Sequence, residues 1–343
     1  MTAQPQSLGR YQVRGVLGKG AMGLVYDGVD PTLDRRVAIK TILTSTLDEA
    51  TARHYEMRFM REVRAVARIN HPNIVQVYDY GTEQGLAYIV MEYIDGRELK
   101  DALGAGERFS LKQVLAMTRE LLEALEFAHE AGVIHRDIKP ANVMLDAAGH
   151  VKLTDFGVAR ITDPDADLGE ATRAGAMIGT PSYMSPEQIQ GQPIDRRTDV
   201  FSAGVLFYQL LTGRKPFEGT GWALARKIVQ EDPVPPSQLV QIPLDIDRVV
   251  ARALAKSLDY RYPTARAFAE ALQRVAEGKS PDDPDATVPI PGAKSNEAEL
   301  EFWNEVKDSD DPEEIQLYIE QFPRGEFVDM ARRRMAELGA KKT

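Results

Sequence analysis

An acid, a cation and an amide lie within six residues of one another in the segment His135-Arg136-Asp137-Ile138-Lys139-Pro140-Ala141-Asn142. Phosphoryl transfer uses all three kinds of group. Asp137 can accept the proton of an attacking hydroxyl, Lys139 can neutralise charge on the transferred group, and Asn142 can bind a hard cation through its oxygen. Thirteen residues after Asn142 comes Asp155-Phe156-Gly157. Such a triplet alone is typical of a hairpin turn, so the combination of the two segments is what indicates chemistry.

A glycine-rich run, Gly18-Lys19-Gly20-Ala21-Met22-Gly23, lies near the start of the chain. Glycines lack side chains, so the backbone amides of such a run can approach phosphate oxygens closely. Alone, the run also fits an ordinary hairpin or a dinucleotide-binding turn, but the second alternative requires a helix immediately afterwards. The next residues, Leu24-Val25-Tyr26, are typical of a strand.

A single lysine, Lys40, closes the apolar run Val37-Ala38-Ile39. A lone lysine on an edge strand is usually a solvated charge. Because a glycine loop precedes it and the helix predicted after it carries an acidic partner, we expect Lys40 to bind phosphate oxygens and Glu62 to hold Lys40 in place. Glu56 is the alternative partner.

The scaffold for these residues divides into two parts. Strand-like runs over residues 11–42, 74–80 and 86–93 predict a twisted antiparallel sheet. Apolar residues at helical spacing over 49–69 predict one amphipathic helix, which ends before Pro72. From residue 95 to about 274 the pattern is mainly helical. The result is a small β-rich lobe followed by a larger helical lobe.

The motifs, taken in order, resemble those of the protein-kinase family: the glycine loop, Val37-Ala38-Ile39-Lys40, His135-Arg136-Asp137 and Asp155-Phe156-Gly157. The resemblance covers about residues 10–275. It extends through Gly179-Thr180-Pro181-Ser182-Tyr183-Met184-Ser185-Pro186-Glu187, Asp199-Val200-Phe201-Ser202-Ala203-Gly204 and Arg261. Ser-Pro-Glu replaces the family's usual Ala-Pro-Glu and leaves Glu187 free to pair with Arg261. The chain is most similar to bacterial serine/threonine kinases of the eukaryotic-like type.

The resemblance implies an α+β, bilobal protein-kinase fold with an N-lobe over about residues 10–92 and a C-lobe over about 95–275. Residues 279–294 are rich in proline and aspartate, which predicts a linker. Residues 295–340 resemble a small all-α module of the tetratricopeptide-like kind, too short for a full array. Within that module Asp311 has the character of a helix N-cap and predicts a helix that begins at Pro312.

The resemblance also implies roles for individual residues. ATP and Mg²⁺ are the expected cofactors, with Mn²⁺ as the alternative cation. The expected hinge is Glu92 to Ile94, whose backbone would hold adenine, and the expected gatekeeper is Met91. The expected catalytic residues are Asp137, Lys139, Lys40 and Glu62, and the expected metal ligands are Asn142 and Asp155. The expected ATP-binding residues are Leu17, Gly18, Lys19, Gly20, Ala21, Met22, Gly23, Val25, Ala38, Lys40, Met91, Glu92, Ile94 and Met144.

A polar stretch with several threonines separates Asp155 from Glu187. We expect phosphorylation of Thr172 to order this stretch, because a phosphate dianion would pair with the guanidinium of Arg136. The alternative is a disordered loop whose threonines are incidental.

Lys139 and Gly179-Thr180-Pro181 favour serine/threonine acceptors on protein substrates. The second hypothesis is a pseudokinase scaffold that binds nucleotide and recruits a protein partner through the helical tail. Pseudokinases normally lack Lys40, Asp137 or Asp155, and all three are present. The sequence leaves open whether the chain forms homodimers.

The charge distribution limits the partners further. The net charge is −10, and residues 280–343 carry 16 acidic and 8 basic residues, which contribute −8 of it. This acidic balance argues against nucleic acid as a partner. No apolar run approaches the roughly 20 residues that span a bilayer, and there is no cysteine. We therefore expect a cytoplasmic protein.

Overall fold

The computed structural model describes residues 5–20, 23–43, 63–83, 86–156 and 181–281, together with parts of the tail. The described tail residues are 302–304, 306, 307, 309, 311–321, 330–332, 334 and 335. The chain divides into two compact units, Met1–Asp283 and Pro284–Thr343.

The first unit begins with a six-stranded antiparallel sheet in the order β1-β2-β3-β4-β6-β5. Its strands are β1 Ser7–Leu8, β2 Tyr11–Gly20, β3 Gly23–Asp30, β4 Arg35–Leu43, β5 Val77–Glu83 and β6 Leu86–Glu92. The pairing of β2 with β3 contains two register shifts, which are β-bulges or similar irregularities. Bulges of this kind bend a strand and increase its twist.

Strand β4 shows how the sheet separates core from cleft. Val37 and Ile39 are fully buried and pack in one apolar cluster with Tyr26 of β3 and Val90 of β6. Side chains alternate between the two faces of a strand, so Ala38 and Lys40 project from the opposite face. One strand therefore supplies both core residues and candidate site residues.

After β6, the described residues of the first unit contain several helices and a small sheet. These helices are α1 Leu99–Gly104, α2 Leu111–Glu130, α3 Pro186–Ile189, α4 Arg197–Thr212, α5 Gly221–Gln230, α6 Asp245–Ala253 and α7 Ala265–Ala276. Almost every residue of α4 is buried, as expected for a helix that is apolar on most of its faces. Helix α4 thus forms the centre of the large apolar core of this region.

The small sheet consists of β7 Gly96–Glu98, β8 Val143–Asp146 and β9 Val151–Leu153 in that order. The sequence pattern did not predict it, because strands of three or four residues are too short to show a clear alternation. The sheet matters because β8 and β9 connect the segment that ends at Asn142 to the segment that contains Asp155.

The bilobal arrangement predicted from the sequence is confirmed in its main features: a β-sheet part comes first and a larger helical part follows. For the helix predicted over 49–69, the structure describes residues 63–67 as helical, and the remainder lies outside the described residues. None of the described helices is long and apolar enough to cross a membrane.

In the second unit, helix α8 spans Pro312–Gln321 and begins at the predicted proline. Tyr318 and Ile315 of α8 are fully buried and pack with Trp303, Val306 and Ala331. The assignment of residues 295–340 to a tetratricopeptide-like module stays a prediction.

Candidate active site

The segment that follows α2 brings three of the predicted residues into direct contact. The Lys139 ammonium donates to Asp137 Oδ2 over 2.7 Å. The Asn142 side-chain amide donates to the backbone oxygen of Asp137 over 2.7 Å and to Oδ2 over 2.9 Å. The Asp137 carboxylate remains about one-third exposed, at 35%. It is therefore oriented by two donors and still open to a substrate hydroxyl.

A buried aspartate on α4, Asp199, fixes the backbone of the segment that contains Asp137. Asp199 accepts hydrogen bonds from the backbone amides of His135, over 2.8 Å, and Arg136, over 2.7 Å. His129 of α2 donates to the same carboxylate over 2.7 Å, and both side chains are completely buried. Arg136 adopts a positive φ of 67°, a conformation unfavourable for any L-residue with a Cβ and tolerated where surrounding contacts impose it. The Asp199 contacts supply that constraint.

Neither Asp199 nor His129 was assigned a role from the sequence. The available signal was Asp199 itself, an acidic residue in the first turn of a mainly apolar helix. An aspartate that is fully buried needs several hydrogen-bond donors, so such a residue indicates that other segments pack against it.

Asp155 lies beside Lys40 of the sheet. The Lys40 ammonium is 2.7 Å from Asp155 Oδ2, and the two side chains are 9% and 26% exposed. Asp155 also has a positive φ, of 66°. The predicted partner of Lys40, Glu62, lies outside the described residues, as does the alternative, Glu56.

Short contacts tie the Asp155 segment to the Asp137 segment. The amide of Thr154 donates to the backbone oxygen of Asn142 over 3.0 Å. His135 Nε2 donates to the backbone oxygen of Thr154 over 2.8 Å. The rings of His135 and Phe156 lie 4.6 Å apart. The two motifs, which are separated in sequence, are thus held as one structural unit.

The predicted adenine pocket is assembled by apolar side chains from both sheets. Ala38 and Met91 are direct partners across β4 and β6, and Met144 lies on β8 opposite Glu98 of β7. The residues of this cluster are Ala38, Val75, Met91, Ile94, Val25 and Met144. Five of the six were predicted ATP-binding residues. Val75 was not, because nothing in its sequence context distinguishes it from core.

The described glycines of the loop lie at the end of β2 and the start of β3, with Gly18 opposite Val25 and Gly20 opposite Gly23. A Cβ added at Gly23 would lie 1.8 Å from the backbone oxygen of Thr41, so packing alone requires glycine there. A Cβ at Gly18 would meet no described atom within 4 Å. Leu17 and Lys19 are exposed. The predicted Ala21 and Met22 lie outside the described residues.

One carboxylate and one amide oxygen make a small donor set for a metal. Asn142 directs its amide nitrogen toward Asp137, which leaves its oxygen as the candidate ligand beside Asp155. Within the described residues there is no group of three or more His, Cys, Asp or Glu side chains placed to hold a metal ion. Mg²⁺ typically binds through one or two protein oxygens and completes its shell with phosphate oxygens and water. The donors therefore fit a cation that arrives with a nucleotide.

Glu98 adds an acid that sequence reasoning did not single out. It precedes α1, and burial raises the pKa of its carboxyl above the ordinary value. The negative charges of Asp101 and Asp155 raise that pKa further.

Of the two predicted regulatory residues, the structure describes one. Arg136 belongs to the segment that Asp199 holds, and Thr172 lies outside the described residues.

A family model described as the protein kinase domain matches residues 11–273 of the chain. The chain belongs to the protein kinase family. Membership implies the use of ATP and a divalent cation.

Several bacterial relatives are similar over most of the chain. A protein named serine/threonine-protein kinase PknB from Mycobacterium leprae is 42% identical over 290 residues, covering 83% of this chain and 46% of the relative. A protein named probable serine/threonine-protein kinase SCO3848 from Streptomyces coelicolor is 43% identical over 284 residues, covering 80% and 41%. Another from the same organism, PksC, is 42% identical over 298 residues, covering 84% and 52%. The chain thus spans about half the length of these relatives.

Proposed function

We propose that this chain is a kinase that uses ATP and Mg²⁺ to phosphorylate serine and threonine hydroxyls of protein substrates in bacterial signalling. One arrangement carries the proposal. Lys139 and Asn142 both donate hydrogen bonds to the carboxylate of Asp137. A hydrogen bond from His135 to Thr154 joins this segment to the neighbouring segment, in which Asp155 pairs with Lys40. A base, two cations and the donors for a metal are thereby assembled in one cleft.

The transfer step follows from this arrangement. The substrate hydroxyl gives its proton to Asp137, its oxygen bonds to the γ-phosphorus, and the bond from that phosphorus to the β,γ-bridging oxygen breaks, which releases ADP. The contact with Lys139 orients the Asp137 carboxylate and places positive charge where the phosphoryl group passes. Lys40 binds phosphate oxygens from the sheet side.

Asn142 and Asp155 would hold Mg²⁺, which would neutralise phosphate charge. The contacts between the two motifs keep these donors adjacent. The apolar side chains of Ala38, Met91 and Met144 lie together, and in the proposal they would enclose the adenine ring while the backbone of the hinge binds its edge.

Two observations support serine and threonine as acceptors. The chain has a lysine two residues after the catalytic aspartate, and its relatives carry the name serine/threonine-protein kinase. A pseudokinase scaffold is disfavoured because Lys40, Asp137 and Asp155 are all present.

We further propose that phosphorylation of Thr172 switches the enzyme through Arg136. We also propose that the helical tail binds a protein partner, since the buried apolar cluster of the tail is that of a folded unit.

The test is transfer of labelled phosphate from ATP with Mg²⁺ to a generic protein acceptor, followed by identification of the phosphorylated amino acids. We expect phosphoserine and phosphothreonine. Asp137→Asn should lower kcat by a factor on the order of 100 to 10,000, because a positioned general base contributes about that much. Asp259→Asn, at a carboxylate whose side chain is 93% exposed, is the matched control and should leave kcat unchanged. No transfer by the parent chain would refute the proposal.

A further inference from the structure

The hinge between the two lobes has few backbone hydrogen bonds of its own. Strand β6 ends at Glu92 and β7 begins at Gly96, so Tyr93, Ile94 and Asp95 form a connection outside both sheets. The backbone of such a segment keeps one conformation only if side-chain contacts hold it. Ile94 packs into the apolar cluster, and two further contacts involve charged side chains, one on Glu92 and one on Tyr93.

The first contact comes from the small sheet. Lys152 of β9 lies 2.7 Å from Glu92 Oε1, and the two side chains are 18% and 25% exposed. The other carboxylate oxygen of Glu92 accepts from the backbone amide of Gln76 over 3.2 Å. Glu92 is thus held on both oxygens. Lys152 is also the register partner of Met144, the residue beneath the predicted adenine site.

The second contact comes from the large sheet. The guanidinium of Arg36, on β4, lies 3.6 Å from the centre of the Tyr93 ring. Asp27 of β3 accepts two hydrogen bonds from the same guanidinium, over 2.9 and 3.0 Å, which fixes the plane of the stack. A planar cation held by a bidentate carboxylate has little freedom left to lose.

The Lys152 contact differs from the ordinary surface pairs of the same unit, whereas the Arg36 side chain is itself 44% exposed and is ordered by its two hydrogen bonds to Asp27. Arg119 and Glu123 on α2, for example, form a pair whose side chains are 51% and 46% exposed. Exposed pairs of that type contribute little, because water screens them. The Lys152 contact is partly desolvated and acts on the one connection that joins the lobes at the adenine pocket.

We propose that Lys152 and Arg36 are positioning residues for nucleotide binding, which hold Glu92 and Tyr93 from opposite lobes so that the hinge backbone is ready to bind adenine. The inference rests on the proposed function, since it assigns the binding of adenine to this hinge. A hinge that is already ordered loses less conformational freedom when the nucleotide binds. Both residues contact the hinge and neither is placed beside the reacting phosphate. Substituting them should therefore change the affinity for nucleotide and leave kcat unchanged.

Calorimetric titration of the full chain with Mg²⁺–ATP, and separately with adenosine, tests the proposal. Lys152→Met and Arg36→Met should raise the Kd of both ligands by the same factor, about five- to tenfold, the size of one charge-assisted contact. Lys152→Arg should restore the affinity at position 152 to within about twofold, since it keeps the charge. The KM for ATP should rise in step while kcat at saturating ATP is unchanged, a division that a general loss of folding would not produce. Arg119→Met is the control and should change neither ligand's Kd.

The double variant Glu92→Met with Lys152→Met protects the test against a folding failure. It removes the ion pair without leaving a desolvated charge, a change that proteins often tolerate. It should show the same loss of adenosine affinity as Lys152→Met. Unchanged affinities in the variants, or a rise in kcat with an unchanged KM, would overturn this inference alone. A parent chain that bound neither ATP nor adenosine would overturn the proposed function as well.

Discussion

Two ion pairs in the first unit, one fully buried and one partly buried, pair a cation with a carboxylate in different surroundings. In the helical region, Arg261 binds both oxygens of Glu187, over 2.7 and 3.1 Å, and the two side chains are 0% and 3% exposed. In the cleft, Lys40 binds Asp155 over 2.7 Å, with 9% and 26% exposed. Distance does not separate these pairs. What separates them is their burial and how many hydrogen-bonding positions the surrounding protein satisfies.

The guanidinium of Arg261 is saturated. Besides its two bonds to Glu187, it donates to the backbone oxygens of Ala255, Arg197 and Lys256. All five of its N–H donors are therefore used. Glu187 accepts one more bond, from the Thr198 hydroxyl over 2.7 Å. A pair satisfied in this way has no capacity for a ligand and acts in folding.

In the pair formed by Lys40 and Asp155, the described residues do not satisfy every hydrogen-bonding position. An ammonium has three donors, and the Asp155 carboxylate is partly open to solvent. A nucleotide phosphate and a cation can therefore compete for these groups. In this molecule the structural pair is both more buried and more completely hydrogen-bonded than the pair proposed to bind phosphate and metal.

The largest expected effect on stability comes from breaking the saturated pair. Arg261→Met leaves Glu187 as a buried charge without its partner and should lower the free energy of unfolding by about 3–5 kcal/mol. Urea unfolding followed by circular dichroism measures the change. The double variant Glu187→Leu with Arg261→Met removes both charges and should recover part of the loss. If the double variant were as unstable as the single one, the charge itself would not be the cause.

Breaking the pair formed by Lys40 and Asp155 should affect activity more than stability. Lys40→Met should lower kcat/KM by a factor on the order of 100 to 1,000, because a preorganised electrostatic contact to the phosphates is lost. The same substitution should lower the free energy of unfolding by much less than Arg261→Met does. Lys40→Arg tests geometry, since a planar fork replaces a compact charge and should not restore the rate. A Lys40→Met variant that remained active but unfolded as readily as Arg261→Met would break the comparison.

The smallest expected effect is a dependence of stability on pH that arises from Glu187. Burial alone would raise the pKa of this carboxyl, but the hydrogen bonds and charge of Arg261, with the Thr198 hydroxyl, hold its pKa below the ordinary 4.5. A lowered folded-state pKa stabilises the protein above the unfolded-state value, and that stability is lost as pH falls through the folded-state value.

The free energy of unfolding of the parent, measured relative to Glu187→Gln, should therefore be constant from pH 7 to about 5 and decline below 4.5. Urea unfolding at a series of pH values gives both curves. A difference between the two proteins that did not change with pH would show that Glu187 titrates alike in the folded and unfolded chain.

Much of the site was predictable because its chemistry is local in sequence. Asp137, Lys139 and Asn142 lie within six residues, and the structure joins them by direct hydrogen bonds. The strand that carries Ala38 and Lys40 was predicted from the strand-like runs over residues 11–42, and the structure confirms it. The pairing of Glu187 with Arg261 was also expected, and the structure confirms it.

Other contacts were not predictable because their partners are distant along the chain. Asp199 reaches His135 across 64 positions, and Lys152 reaches Glu92 across 60. Nothing in the local pattern around either residue names its partner. The strands of the small sheet were missed for a different reason, since three or four residues carry too little periodicity.

The amino-acid sequence by itself determined which groups are present for phosphoryl transfer, in what order, and that a β-rich lobe precedes a helical one. Those properties depend on side-chain type and on short-range periodicity, which are written in the chain directly. Only the tertiary structure decided which charges are saturated and which stay open, and how the hinge is held from both lobes. Saturation depends on donors and acceptors brought together by folding, so it exists only once the distant segments have met.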